Sequence, residues 1–251
     1  MASGILVGCA GWSIASAQRE LFGGGASMLA RYATRFDVVE VNSSFYRPHR
    51  HETWRRWADS VPAGFRFSAK LPRTISHELA LRGAGPALDR FLSEVSGLGG
   101  KLGALLLQLP PSLAFDARSA VAFFAVLRRR TEVAVACEPR HASWFDARAG
   151  EVLQRYAIAR AAADPARLPE AARPGGSRAW SYWRWHGAPR MYYSRYDDQA
   201  LASLAAEVAA AGPKQAWVIF DNTAHGHAVT DALRFQAQVG AMPRTRRRRH
   251  A

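Results

Sequence analysis

Two cysteines, Cys9 and Cys137, are all that this 251-residue chain contains, which excludes a small scaffold stapled by disulfides. Both fall inside strand-like apolar runs and read as small buried hydrophobes in a reducing compartment, so the cytoplasm is the expected location. No apolar run is long enough to cross a bilayer. Met1-Ala2-Ser3-Gly4 leads into Ile5-Leu6-Val7 without a basic region or a cleavage site, so neither a signal peptide nor membrane association is expected. No Gly-x-Gly-x-x-Gly follows the first strand-like run and no other nucleotide fingerprint occurs, which argues against an open doubly wound sheet. Lysine is nearly missing too: among 34 Lys and Arg, only Lys70, Lys101 and Lys214 are lysines.

Positive charge, by contrast, is abundant. A formal net charge of +14 favours anionic partners, nucleic acid among them. Five of those charges (Arg244, Arg246, Arg247, Arg248 and Arg249) lie in residues 244–251, a stretch with nothing apolar to bury and expected to be a disordered basic tail. The wealth of arginine and alanine elsewhere also suits the codon usage of a GC-rich genome. Residues 1–243, near the usual length of a one-domain α/β barrel, are expected to form a single domain.

Eight apolar runs of strand length alternate with stretches of helical period. The runs are Ile5 to Ala10, Val38 to Asn42, Phe65 to Lys70, Ala104 to Leu109, Glu132 to Glu138, Ile158 to Asp164, Ser181 to His186 and Ala216 to Asn222. Helices are expected near 26–36, 51–60, 84–98, 116–129, 146–157, 198–211 and 227–239. Continuous Val/Leu/Ala strands, each followed by a helix, require a parallel sheet, and eight such units close a single (β/α)8 barrel of the TIM type. One unit departs from the pattern, because Pro165, Pro169, Pro174 and Gly175-Gly176 break the segment where helix 6 belongs, and a Pro/Gly-rich loop is expected in its place.

Alternate strand residues face a barrel's interior, and ligand sites form where its strands end. Parity puts Arg66 on the inward face with Ser68 and Lys70, and turns Glu40 and Asn42, Ser68 and Lys70, Gln108, Glu138 and Arg140, Arg160 and Asp164, Tyr182, Arg184 and His186, and the Asp221-Asn222 pair toward one mouth. Charges persist in such a place only if paired or partly wet. They could therefore form an ion-pair network that merely closes the barrel, or a ligand site. As a site, Glu40 and Glu138 are acid/base candidates, His186 is a proton shuttle, and Lys70, Arg140 and Arg184 are clamps for an anionic group. Schiff-base chemistry at Lys70 is a further possibility, though a lysine beside acids more often serves as an ion-pair partner. A divalent metal held by His77, His141 and His186 with Glu40, Glu138 and Asp221 is the rival arrangement, although no tight ligand spacing supports it and the cations would oppose it. Aromatics crowd the following loops: Trp12, Phe45, Tyr46, Trp144, Phe145, Tyr192, Tyr193 and Tyr196. They could stack on bases or sugars, or pack on the rim, the second being favoured for Trp144 and Phe145 over Trp12 and Tyr46.

Several segments together carry a family likeness. Gly8-Cys9-Ala10-Gly11-Trp12-Ser13, Glu40-Val41-Asn42-Ser43-Ser44-Phe45-Tyr46, Phe67-Ser68-Ala69-Lys70 with Ser76-His77, Leu107-Gln108-Leu109-Pro110-Pro111-Ser112, Glu138-Pro139-Arg140-His141-Ala142-Ser143-Trp144, His186-Gly187 and Phe220-Asp221-Asn222 occur in that order. They closely resemble the YecE-like domain-of-unknown-function family numbered seventy-two. The resemblance implies a barrel with no assigned activity, similar at a distance to xylose-isomerase-like and endonuclease-IV-like barrels, hence the metal-dependent hydrolase and nucleic-acid alternatives. Asp221 stands where that family usually has asparagine, and Ser76 where it has threonine. The expected function is that of an enzyme, a hydrolase or lyase, acting on a small anionic, phosphorylated substrate. Its catalytic candidates are Glu40, Glu138, His186 and Lys70. Its binding candidates are Trp12, Asn42, Tyr46, His77, Gln108, Arg140, Asp164, Arg184, Asp221 and Asn222, with no resident cofactor.

Overall fold

The computed structural model describes residues 4–211 and 215–241. Its elements run β1 (Ile5–Ala10), α1 (Met28–Tyr32), β2 (Val38–Val41), α2 (His51–Asp59), β3 (Arg66–Lys70), α3 (Gly85–Val95), β4 (Leu102–Gln108), α4 (Ala117–Arg128), β5 (Ala134–Glu138) and α5 (Ala147–Arg155). They continue with β6 (Ile158–Arg160), β7 (Ala162–Asp164), β8 (Gly175–Gly176), β9 (Ser181–Trp185), α6 (Asp198–Ala210), β10 (Ala216–Phe220) and α7 (His227–Ala241). Side-chain caps set several helix starts, with Asp116, Asp146 and Asp197 each accepting a backbone N–H in the first turn. The expected basic tail lies outside the described residues.

Strand order is β7-β9-β10-β1-β2-β3-β4-β5-β6-β8, and every pairing is parallel except that of β6 with the two-residue β8. Because β6 and β7 are halves of one stretch, one pairing β5 and the other β9, residues 158–164 complete the ring. No α-helix lies between β7 and β9; a 3₁₀ turn at Pro169–Ala172 and the β8 bridge occupy that span.

The two faces of the strands bury separate apolar layers. Val38, Ala104, Leu106, Ala136, Ala159, Ala161, Trp180, Tyr182, Trp217 and Ile219 form the barrel interior, whereas Val39, Val41, Phe67, Leu105, Leu107, Val135, Trp183 and Phe220 belong to the larger layer beneath the helices. Alanines and glycine on β4, β5 and β6 leave space that Trp217 and Tyr182 fill, their rings stacked at 6.2 Å; a Cβ on Gly103 would lie 2.7 Å from the Trp217 ring. The lower barrel is thus packed solid, so polar chemistry is confined to the C-terminal strand ends.

Parity holds at the charged ends of the second to fifth and seventh strands and at Asp221 after the eighth, and fails on the sixth. Inward positions there are Ala159 and Ala161, so Arg160 and Asp164 do not face the mouth. Arg160 instead lies over the Phe145 ring at 4.7 Å and donates to the Glu170 carbonyl. The Asp164 carboxylate accepts from the Tyr196 hydroxyl at 2.6 Å. The arrangement spares Arg184 and Tyr182 a bulky neighbour, since small alanines face them across the barrel.

Candidate functional site

Arg184 on β9 is the hub of the upper barrel and is wholly buried. Its Nε and Nη2 donate to both oxygens of Glu40 (3.0 and 2.7 Å), Nη2 also to Asp221 Oδ2 (2.8 Å), and Nη1 to Glu138 Oε2 (2.6 Å). The second Nη1 hydrogen lies toward His186 Nε2, 3.5 Å away. A planar fork saturated in this way is what makes a buried guanidinium tolerable. Burial opposes its charge, but Glu40, Glu138 and Asp221 hold its pKa well above the ordinary value.

This geometry corrects two expectations. Arg184 is wholly buried and gives four of its five hydrogens to carboxylates, so it is a positioning residue rather than a clamp. Glu40, also wholly buried, is consumed by Arg184 and by the Tyr182 hydroxyl, which donates to Oε2 at 2.7 Å; it cannot reach a ligand. The Ser68 hydroxyl lies 2.9 Å from that phenol and completes the layer. Tyr182 and Ser68 follow the inward parity, but hydroxyls among charges gave no separate signal in the sequence.

The remaining groups line the opening. His186 lies with Nδ1 2.9 Å from Asp221 Oδ2 and Nε2 3.4 Å from Glu138 Oε1. Burial works against its protonation, yet the Glu138 charge and the Asp221 bond outweigh it and raise its pKa. Glu138 and Asp221 would be raised by burial, but Arg184 and His186 hold both below the usual carboxylate range. Arg140 donates through Nε to Glu138 Oε1 at 3.1 Å and lies 3.4 Å from the Tyr192 hydroxyl. Gln108 bridges the row, donating to Glu138 Oε1 at 2.9 Å and accepting from Lys70 Nζ at 2.7 Å.

Lys70 is the exception in this otherwise matched set. It is 6% exposed, and its ammonium contacts one amide oxygen and the face of Phe45, 4.3 Å from the ring centroid. No carboxylate lies within ion-pair distance of it among the described residues. Burial, then the Arg184 charge, push its pKa down to about 8, against partial support from Glu40, Glu138 and Asp221. His77 stands nearby, its own pKa lowered by burial and by the charges of Lys70, Arg73 and Arg140, so these cations share one electrostatic neighbourhood.

Other expected residues fall at the margin. Asn42 reaches Asp221 Oδ1 only at 3.4 Å, and its Oδ1 is buried without a partner. Asn222 is turned away from the mouth and donates to Asp231 and the Ser194 carbonyl. Asp231 also accepts from the Tyr196 amide; it was legible only as a lone acid at helical spacing among Ala228, Ala232 and Phe235. Trp12 packs edge-on against Trp57, while Tyr46 is 76% exposed. Trp144, Tyr196 and Phe45 are buried, which leaves Tyr46, Tyr192 and Tyr193 as the exposed rim aromatics of that set.

Among the described residues, no group of three or more His, Cys, Asp or Glu is arranged to hold a metal ion. The cause is visible: the carboxylates converge on the Arg184 guanidinium, while His77 and His141 hydrogen-bond to Ser76 and Ser143 at other corners. Nor, among those residues, is any helix long and apolar enough to cross a membrane.

One cavity lies at the mouth, and a groove shares Phe45 with the Lys70 contact. The cavity, of about 20 Å3, lies among Glu138, Arg140, Arg167 and His186, room for one water-sized group. The groove, of about 460 Å3, starts at Phe45, the ring that carries Lys70, and runs past Tyr46, Arg47 and Arg73 toward α3.

A family model described as "Protein of unknown function DUF72" matches residues 6–250. The UPF0759 protein YecE of Escherichia coli strain K12 is 38% identical over 86 residues, which are 34% of this chain and span only 32% of that protein. A DUF72 family protein of Enterococcus faecalis V583 superposes with a TM-score of 0.79 at 22% identity, over 95% of this chain and 96% of its own. One from Thermotoga maritima MSB8 gives 0.77 at 24%, over 94% and 99%. At that identity the solved structures speak to the fold alone.

Proposed function

This chain belongs to the DUF72 family, whose function is unknown, and we propose from its own mouth that it binds a small anionic metabolite between Lys70 and Arg140. The observation that carries this reading is the buried ammonium of Lys70, which lacks a carboxylate partner among the described residues, while the cluster's other basic groups, Arg140, Arg184 and His186, each have one. A buried unmatched cation costs the fold, and an incoming phosphate or carboxylate would relieve that cost. Arg140 supplies a planar fork with its Nη1 unpartnered among the described residues, suited to a two-oxygen anion. Phe45 and the groove beyond it would take the rest of the molecule.

Proton transfer is the chemistry such a site supports, as in a lyase or hydrolase. His186, its pKa raised, is the acid, and Glu138 and Asp221 hold its ring. Glu138 is not suited to be the base, since Arg184, His186 and Arg140 stabilise it as a bound carboxylate.

Orthophosphate should raise the melting temperature of the native protein, with an effect that shrinks as sodium chloride is added. Arg140→Met should weaken phosphate binding by roughly tenfold or more, the worth of one charge-assisted hydrogen bond. Calorimetric titration of both proteins measures this. An unchanged phosphate affinity in Arg140→Met would remove Arg140 from the site.

A further inference from the structure

We propose that Lys70 is an amine nucleophile that forms a Schiff base with a small aldehyde or ketone bearing a carboxylate or phosphate group, the anionic end resting on Arg140. This deepens the anion-binding reading above and rests on it.

Residue choice is the first argument. Only three of the chain's 34 Lys and Arg are lysines, yet one of them stands at the barrel mouth, at the end of β3. A guanidinium there would supply the same positive charge, but it cannot act as an amine. The second argument is geometry. Lys101 spends its Nζ on the carbonyls of Ala58 and Val61, at 2.6 and 2.7 Å. Lys70 Nζ is held by a single hydrogen bond to Gln108 and leans on an aromatic face, so its nitrogen is oriented without being tied to an acid. The third argument is proton affinity: burial and Arg184 lower the pKa of the amine from 10.5 to about 8, so far more of the free amine is present near neutral pH than for an ordinary lysine. Glu40, Glu138 and Asp221 pull the other way but are committed to Arg184.

The chemistry balances with groups at the mouth. The lone pair of the neutral amine forms a C–N bond to the carbonyl carbon. The C=O π pair moves to oxygen, and a proton passes from nitrogen to that oxygen to give a carbinolamine. The hydroxyl then leaves as water with a proton from the His186 imidazolium, and the nitrogen lone pair completes the protonated C=N bond. His186 ends neutral, and one positive charge has moved to the iminium. The Gln108–Glu138–Arg140 row, each member hydrogen-bonded to the next, sets Arg140 beside the same opening as the amine.

Scarcity of lysine makes the test clean. The native chain is incubated with glyoxylate, with glycolaldehyde phosphate, or with uncharged glycolaldehyde, each with cyanoborohydride, whose hydride reduces the iminium to a stable secondary amine. Peptide mass mapping then locates the label. One adduct per chain on Lys70 is expected, forming at least tenfold faster with whichever anionic probe the site takes than with glycolaldehyde, and suppressed by inorganic phosphate. Lys70→Arg should abolish it with the circular dichroism spectrum retained. Label spread evenly over Lys70, Lys101, Lys214 and the N-terminus overturns the proposal. Phosphate binding without any Lys70 adduct overturns the Schiff base and leaves the anion site standing; failure of both removes both.

Discussion

Replacing Arg184 with methionine should destabilise the protein by roughly 3–5 kcal/mol at neutral pH, or prevent its folding, because buried Glu40 would lose its one cation while Glu138 and Asp221 kept only Arg140 and His186. The pH dependence separates this cause from a simple packing loss. In the native protein, Glu138 and Asp221 titrate below their ordinary 4.5 and 3.8. Their contribution is complete above those values and is lost as pH falls through the lowered ones. His186 works in the opposite sense. Raised above 6.5, it contributes fully below that pH, and the contribution disappears as pH rises through the raised value. As far as these three groups go, native stability should be nearly flat from pH 5 to 6.5 and fall as pH rises through the raised His186 value, before Lys70 acts in the opposite sense above about pH 8. Without the guanidinium the buried carboxyls prefer their protonated forms, so Arg184→Met should gain stability as pH drops from 7 to 5. Denaturant unfolding at the two pH values measures it. A variant equally destabilised at both, or one that loses less than about 1 kcal/mol at pH 7, would mean that Arg184 is not the hub.

Lys70→Met should do the reverse, strengthening the fold while removing the binding. Depression from 10.5 to about 8 means that the native state carries the charged lysine at a cost of roughly 2–4 kcal/mol at neutral pH. For this base the unfolded chain binds more protons between those two values, so native stability should rise with pH across that window. Methionine fills a similar volume without charge, leaving one Gln108 oxygen unpaired, a partial offset of about 1–3 kcal/mol. The net expectation is a gain of about 1 kcal/mol at pH 7, no alkaline rise, and phosphate affinity reduced by more than tenfold. A functional residue that costs stability is a common trade. Loss of stability on substitution, with phosphate affinity intact, would make Lys70 an ordinary structural cation.

Strand periodicity carried most of the architecture. The runs in Ile5–Ala10 and Ser181–His186 differ from the observed strands by at most one residue, since buried parallel strands bounded by loops leave little choice of register. Polar residues at alternate positions, Glu40, Lys70, Gln108, Glu138 and Arg184, are correspondingly legible as one cluster, and all are buried together at the strand ends. The sixth strand resisted because Ala161, Ala162 and Ala163 give no contrast between faces, so Arg160 and Asp164 were assigned inward on parity that the alanines could not fix. Roles within the cluster were less legible than its membership. Parity in the sequence shows four acids and five basic side chains at the mouth but not that one guanidinium takes Glu40, Glu138 and Asp221 together, which is what leaves Lys70 unmatched and Glu40 inaccessible. Pairing is a property of distances, and no spacing along the chain encodes it. Asn222 was misjudged for a related reason: one peptide beyond Asp221 its side chain points into the packing of α7.

Lys70 binds an anion as an unmatched cation only if its proton is held as weakly as its surroundings imply, and the shortage of lysine lets that be seen directly. In protein labelled with 13C-lysine, three ε-methylene signals are expected, and assignment by Lys70→Arg picks out one. That signal should titrate near pH 8, with its midpoint moving upward when phosphate is added, because a bound anion favours the ammonium. A midpoint near the ordinary 10.5, unmoved by phosphate, would contradict an unmatched amine at the mouth and the anion site built on it.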